Sequence, residues 1–237
     1  LSGGGSGPRT NTPAAWADMY DRYQRAALSS RLGIPMIYGI DAVHGNNNVR
    51  GSTIFPHNIG MGATRNPELV REAARVTAVE VAATGVDWTF APCVAPARDI
   101  RWGRTYEGYS EDPVLAGLLG EAAVRGFQEG SASDSILATA KHYLGDGGTE
   151  GGVDRGDVRV DEATLRSLFL APYLPSLGAG AGSVMVSFSS WNGQPMHQNR
   201  YLITDALKPL AMLRQAFLLN WLRVVIPLLK SPLLRLL

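Results

Sequence analysis

Short apolar runs alternate with longer amphipathic segments along this chain. Four of the runs have the length and composition of buried strands, and each leads into a polar or glycine-rich loop. They cover residues 34–40, 86–91, 136–140 and 183–188. The runs recur about every 50 residues, with room for a helix between them. This rhythm predicts βα units with parallel strands.

Helix start signals stand in the intervening segments, each with a capping side chain before the first turn. They are Thr12-Pro13, Asn66-Pro67, Asp112-Pro113 and Asp161-Glu162. Gly85 and Gly130 are the expected stops of the second and third helices. Pro172 and Pro175 should kink or end the fourth, because proline lacks the N–H that an α-helix needs.

A doubly wound sheet and a (β/α)8 barrel both fit this pattern. The residues with unusual chemistry favour the barrel, since they follow the C-terminal ends of predicted strands, where barrel enzymes build their sites. These residues are Asp41, the segment 98–104, Lys141-His142 and the segment 189–192. Four strands are half of a closed barrel, so we predict an α/β fold, an incomplete (β/α)8 barrel of the TIM type.

Composition narrows the function classes. Hydrophobic residues make up 45% of the 237 residues and charged residues 18%, which is ordinary for a globular protein. The formal net charge of +1 gives no electrostatic reason to expect nucleic acid. The four histidines are widely spaced, and no glycine-rich nucleotide motif follows a strand. We therefore expect neither a metal nor a cofactor.

Cys93 is the one cysteine and is expected to be buried.

The last 29 residues differ in character from the rest. Residues 209–237 are rich in leucine, contain arginine and lysine but no acid, and are interrupted by Pro227 and Pro232. Their uninterrupted apolar runs are shorter than the roughly 20 residues that cross a bilayer. A basic amphipathic helix on a membrane surface is one interpretation. We favour the other, in which residues 1–208 form the barrel domain and residues 209–237 are a tail foreign to that fold.

Four loops carry groups that suit a sugar, whose hydroxyls are held by carboxylates and charged donors. Each group also has a structural alternative. Asp41 could cap a turn, and the charges of residues 98–112 could form a solvated loop. Lys141 could lie on the surface beside a buried His142, and Trp191 could belong to the core.

Taken together, these segments resemble glycoside hydrolase family 3 in identity, order and spacing. The matching segments are residues 39–45, 53–58, 90–92, 101–107, 110–112, 141–149 and 187–193. The resemblance covers about residues 1–208 and is strongest to the branch of β-glucosidases and exo-β-glucanases. It implies a retaining, exo-acting hydrolase of β-glucosides or β-glucans, located in the periplasm or secreted. Neither nucleic acid nor a membrane is an expected partner.

The resemblance also implies roles for individual residues. Asp41 would bind the far hydroxyls of the terminal glucose, and Arg104, Lys141 and His142 the remaining ones. Met185 would line the pocket beneath the sugar. The chain departs from the family at Phe188, where relatives often have tyrosine. It also departs at Asn46, Arg50 and Ile100, where histidine, tyrosine and proline are common.

The two catalytic carboxylates of the family are not expected within these residues. The loop 145–157 contains no histidine, which argues against the N-acetylglucosaminidase branch and implies an acid/base glutamate from a second domain. The family's nucleophile lies in a Ser-Asp-Trp element, which occurs nowhere in the chain. We therefore expect a truncated, inactive form with no catalytic residue of its own, and a frameshift or misplaced gene end after Lys208. Of the acids near the pocket, Glu107 should be ionised among arginines, and Asp146 should lack a neighbour that positions it.

Overall fold

The computed structural model describes residues 7–213. Within this range the strands are short: β1 (Gly39–Ile40), β2 (Trp88–Thr89), β3 (Thr139–Tyr143), β4 (Asp157–Val158), β5 (Ser183–Val186), β6 (Ser190–Trp191) and β7 (Gln194–Pro195). The α-helices are α1 (Pro13–Leu28), α2 (Asn58–Ala63), α3 (Pro67–Ala82), α4 (Pro113–Gln128), α5 (Glu162–Thr164), α6 (Tyr173–Gly178) and α7 (Lys208–Leu213). Two π-helical segments, Leu165–Leu170 and Tyr201–Leu207, lie among the last helices.

The main strands lie side by side in their order along the chain. β1 pairs in parallel with β2, and β3 pairs in parallel with β5. Parallel bridges from Trp88 to Leu137 and from Cys93 to Lys141 join the β2 and β3 segments. A doubly wound sheet reverses its strand order at a switch point, whereas a barrel adds strands in sequence. The structure therefore confirms the incomplete (β/α)8 barrel of the TIM type.

All four predicted helix starts are confirmed by their capping hydrogen bonds. Thr12 accepts a hydrogen bond from the backbone N–H of Ala15, and Asn66 accepts two at the start of α3. Asp112 and Asp161 cap α4 and α5 in the same way. These side chains satisfy backbone donors that the first helical turn leaves without partners.

The fourth helical segment is less regular than the others. After the three residues of α5, the backbone continues as the π-helical segment Leu165–Leu170, and α6 begins only after Pro172. Pro172 thus breaks the helix as predicted, whereas Pro175 lies inside α6. The small sheet formed by β4, β6 and β7 was not predicted, because two-residue strands are too short to show a periodic pattern.

Helices α3 and α4 pack closely against each other over the strands. A Cβ atom at Gly126 would overlap the backbone oxygen of Arg71, so only glycine lets the two helices approach this far. Cys93 is fully buried, as expected. The boundary at residue 208 stays a prediction, because α7 spans 208–213 and the rest of the tail lies outside the described residues. No helix in the described range is long and apolar enough to cross a membrane.

Candidate functional site

A cavity of about 250 Å³ is formed by the loops that follow β1 and β2 and by Lys141 of β3. Two carboxylates, two cations and three aromatic rings line it: Asp41, Glu107, Arg104, Lys141, His44, His57 and Tyr106. Three of the residues proposed from sequence, Asp41, Arg104 and Lys141, thus come together at one end of the sheet. Their meeting follows from the parallel arrangement, because the carboxyl ends of parallel strands lie at the same edge.

Asp41, which follows β1, and Lys141, which lies in β3, form an ion pair between segments that β2 separates. Lys141 Nζ lies 3.0 Å from Asp41 Oδ1, although the two residues are 100 positions apart. The lysine side chain is 2% exposed and the aspartate side chain 46% exposed. The pair therefore has one buried partner and one that faces the cavity opening. A buried ammonium needs such a partner, because its desolvation is costly.

Arg104 and Glu107, which line the same cavity, form a bidentate ion pair. Arg104 Nε lies 2.7 Å from Glu107 Oε1, and Arg104 Nη2 lies 2.8 Å from Oε2. Burial acts to raise the pKa of Glu107, but the hydrogen bonds and charge of Arg104 outweigh burial, and the pKa lies below its usual value. Glu107 is thus ionised, as expected. The side chain of Asn58 donates a hydrogen bond of 2.8 Å to the backbone oxygen of Glu107 and fixes this turn.

His142 does not line the cavity but lies buried next to Lys141. Its Nδ1 atom lies 3.0 Å from Asp146 Oδ2, and Ser187 Oγ donates a hydrogen bond of 3.2 Å to Asp146 Oδ1. The expectation that Asp146 lacks a positioning neighbour was therefore wrong, since the glycine-rich loop folds back onto β3. Burial lowers the pKa of His142. Asp146 opposes this shift, and the charges of Arg104 and Lys141 add to it.

The aromatic wall of the cavity was missed by sequence reasoning. The rings of His44 and His57 stack with centroids 3.9 Å apart, and Tyr106 meets His57 edge-on at 4.6 Å. Burial and the neighbouring His44 lower the pKa of His57. The backbone bridge between Gly45 and Ile54 brings the two histidines together. Gly45 has a φ of 101°, and a side chain there would overlap Thr53.

The remaining residues proposed from sequence lie outside the cavity lining. Met185 is the register partner of Lys141 on β5, and its place beneath a sugar stays a prediction. Trp191 donates a hydrogen bond to the backbone oxygen of Val160 and helps to hold the small sheet. Phe188 is 72% exposed. Among the described residues, no group of three or more histidine, cysteine or acidic side chains could hold a metal ion.

Comparison with known proteins agrees with this arrangement. The model for the Glycosyl hydrolase family 3 N terminal domain matches residues 4–211. The chain is 40% identical over 204 residues to the lysosomal beta glucosidase of Dictyostelium discoideum, a match that covers 82% of this chain and 25% of that protein. It is 38% identical over 193 residues to the periplasmic beta-glucosidase of Salmonella typhimurium, covering 81% of this chain and 25% of that protein.

Superposition on solved structures agrees with these sequence comparisons. An exo-1,3/1,4-beta-glucanase from a Pseudoalteromonas species superposes with a TM-score of 0.83 at 45% identity, over 89% of this chain and 28% of that one. A beta-glucosidase from Listeria innocua in complex with glucose superposes with a TM-score of 0.76 at 32% identity, over 87% of this chain and 28% of that one. The chain thus spans about a quarter of the length of these relatives.

Proposed function

Because the chain belongs to glycoside hydrolase family 3, we propose that its residues build the glucose-binding part of a retaining, exo-acting β-glucosidase or exo-β-glucanase. One observation carries this proposal: Asp41, Arg104 and Lys141 converge on a single cavity at the carboxyl end of the parallel strands. The substrates would be β-glucosides or β-glucan oligosaccharides, bound through the glucose at the non-reducing end.

The chemistry of the cavity suits one sugar ring. Its volume of about 250 Å³ lies just below the roughly 300–1,000 Å³ typical of ligand pockets. A cavity of this size favours a single terminal sugar over a length of polysaccharide, in keeping with exo action. The Asp41 carboxylate accepts hydrogen bonds from hydroxyl groups, whereas Lys141 and Arg104 donate to hydroxyl oxygens. His142 and Met185 complete the proposed sugar-binding set.

We propose that neither catalytic carboxylate belongs to residues 1–208. Retention requires two carboxyl groups about 5–5.5 Å apart, one of which attacks the sugar and one of which donates and takes up a proton. The three acids at or beside the cavity are already engaged: Asp41 with Lys141, Glu107 with Arg104, and Asp146 beside His142. On this proposal the 237 residues alone bind sugar but do not hydrolyse glycosides.

Two further proposals concern the chain's extent and location. We propose that the barrel domain ends at residue 208, which is close to the end of the family match at residue 211. The proposed location is the periplasm or the exterior of the cell. One relative is described as periplasmic and another as lysosomal, and both compartments lie outside the cytosol.

The test combines a binding assay and a turnover assay on the full chain. Asp41→Ala should weaken glucose binding by about 1.5–3 kcal/mol, the usual size for a hydrogen bond to a charged group. Asp154→Ala is the matched control, because Asp154 is an exposed acid paired with its neighbour Arg155. Unchanged binding in Asp41→Ala would remove Asp41 from the site. Turnover of an aryl β-glucoside that one of these carboxylate substitutions abolishes would show that the chain carries its own nucleophile.

A further inference from the structure

The aromatic wall of the cavity, made of His44, His57 and Tyr106, has no part in the proposed sugar contacts. Its rings form a row, since the rings of His44 and His57 stack at 3.9 Å and Tyr106 meets His57 edge-on at 4.6 Å. His44 follows Asp41 by three residues in the loop after β1, and Tyr106 follows Arg104 by two residues in the loop after β2. The aromatic wall thus spans the gap between two loops that carry proposed sugar-binding residues.

Hydrogen bonds behind the aromatic wall hold its rings in place. Nδ1 of His44 lies 2.9 Å from the backbone oxygen of Phe55 and donates to it, because a carbonyl oxygen only accepts. The side chain of Asn58 donates a hydrogen bond to the backbone oxygen of Glu107. These two residues directly follow the other two rings in the chain, so their hydrogen bond keeps those rings together. Rings that are fixed in this way resist displacement, and a group forced against them causes strain.

The aromatic wall is also thin. His57 is exposed and Tyr106 is 44% exposed, although both line the cavity. These two rings therefore border the cavity and the solvent at once. Truncating either ring should join the cavity to the solvent at this point and turn a closed end into an open one.

We propose that the aromatic wall restricts the site to a sugar whose far hydroxyl is free, and that it thereby determines exo specificity. This inference rests on the proposed function, in which Asp41 binds the hydroxyls far from the scissile bond. In a pyranose, O4 lies across the ring from C1, so a substituent on O4 would extend beyond Asp41 toward His44 in the same loop. An internal sugar of a 1,4-linked chain carries such a substituent, whereas the terminal sugar does not.

Binding of methyl β-D-glucoside and of its 4-O-methyl derivative to the full chain, measured by isothermal titration calorimetry, tests this inference. The wild-type chain should bind the derivative at least about tenfold more weakly, because the added methyl overlaps fixed rings. His57→Ala should reduce this ratio to about threefold or less, since the derivative then gains space. Among the described residues, the His57 side chain makes no capping hydrogen bond to α2, so its truncation leaves the start of that helix intact.

Three further variants complete the test. His57→Phe keeps an aromatic ring and should keep the wild-type ratio, as should His197→Ala, at an exposed histidine that does not line the cavity. Tyr106→Ala opens the aromatic wall at its other exposed ring and decides the question if His57→Ala does not fold. Equal affinities of the wild-type chain for both ligands, or an unchanged ratio in the two opening variants, would overturn this inference and leave the proposed function standing. Failure of the wild-type chain to bind either ligand would overturn the proposed function and this inference with it.

Discussion

Removing the two partners of the Asp41–Lys141 pair should have unequal effects on stability. Lys141 is 2% exposed and Asp41 is 46% exposed at the side chain. In Asp41→Ala, a buried ammonium loses its partner and keeps its desolvation cost. In Lys141→Met, the remaining carboxylate faces the cavity opening and can be hydrated, and methionine retains most of the buried aliphatic stem.

The magnitude follows from the surroundings of the lysine. Breaking a fully buried ion pair by removing one partner costs about 3–5 kcal/mol. Two features reduce this cost for Asp41→Ala: water can enter the space that the half-exposed carboxylate leaves, and Glu107 lies close enough to interact with the Lys141 charge. We therefore expect Asp41→Ala to lower the free energy of unfolding by about 2–3 kcal/mol. Lys141→Met should stay within about 1 kcal/mol of the wild type.

Urea unfolding of the wild-type chain, the two single variants and the double variant at pH 7 tests this difference. Asp41→Ala combined with Lys141→Met should recover most of the stability lost in Asp41→Ala, since the unpaired charge is then gone. The expected coupling between the two sites is about 2 kcal/mol, within the range for residues in contact. Equal losses in both single variants, or additive losses in the double variant, would refute the argument that burial of the lysine controls the stability.

Two further outcomes concern parts of the fold outside the cavity. Burial raises the pKa of Asp87 from 3.8 to about 6, against the hydrogen bond from Tyr20, so the contribution of Asp87 to the free energy of unfolding should fall as the pH rises from 3.8 through 6. Asp87→Asn should gain about 3 kcal/mol over the wild type at pH 7 and nothing below pH 3.8, as measured by urea unfolding; a constant difference would contradict this. Gly126→Ala should cost about 1–3 kcal/mol because its Cβ overlaps α3. Gly103→Ala should leave the free energy of unfolding unchanged, because there is open space around Gly103. An equal loss of stability in both variants would exclude the packing explanation.

The helices and the order of the barrel strands were predictable because their signals are local. Thr12, Asn66, Asp112 and Asp161 each cap the helix that follows within three residues. The sequential strand order follows from the repeated βα rhythm once a barrel is favoured over a doubly wound sheet. The site residues Asp41 and Lys141 could be paired in advance only because each follows a predicted strand, although Lys141 lies inside β3 in the structure. The distance between them depends on the whole parallel sheet.

The features that sequence reasoning missed depend on how loops fold back. Asp146 reaches His142 because the glycine-rich loop after β3 makes a tight turn, with Gly145 at a φ of 91°. The stack of His44 on His57 depends on a bridge between two loop segments. Both histidines stand in segments that carry the family resemblance, so their closeness could have been suspected. Neither segment has a periodic pattern that fixes its path.

The pairing of charges around the cavity explains how this site can be both buried and ready for a ligand. Lys141 donates a hydrogen bond to one oxygen of Asp41. The Asp41 side chain lines the cavity and is half-exposed, so the carboxylate can still accept hydrogen bonds from a ligand. Arg104 is held by both oxygens of Glu107, so its guanidinium is oriented before any sugar arrives. A ligand hydroxyl can then add to donors and acceptors that are already fixed, and little side-chain entropy remains to be lost on binding. These charges are desolvated and oriented when the chain folds, before any ligand binds. Asp41→Ala should therefore lower both the stability and the affinity for glucose, whereas Lys141→Met should lower the affinity alone.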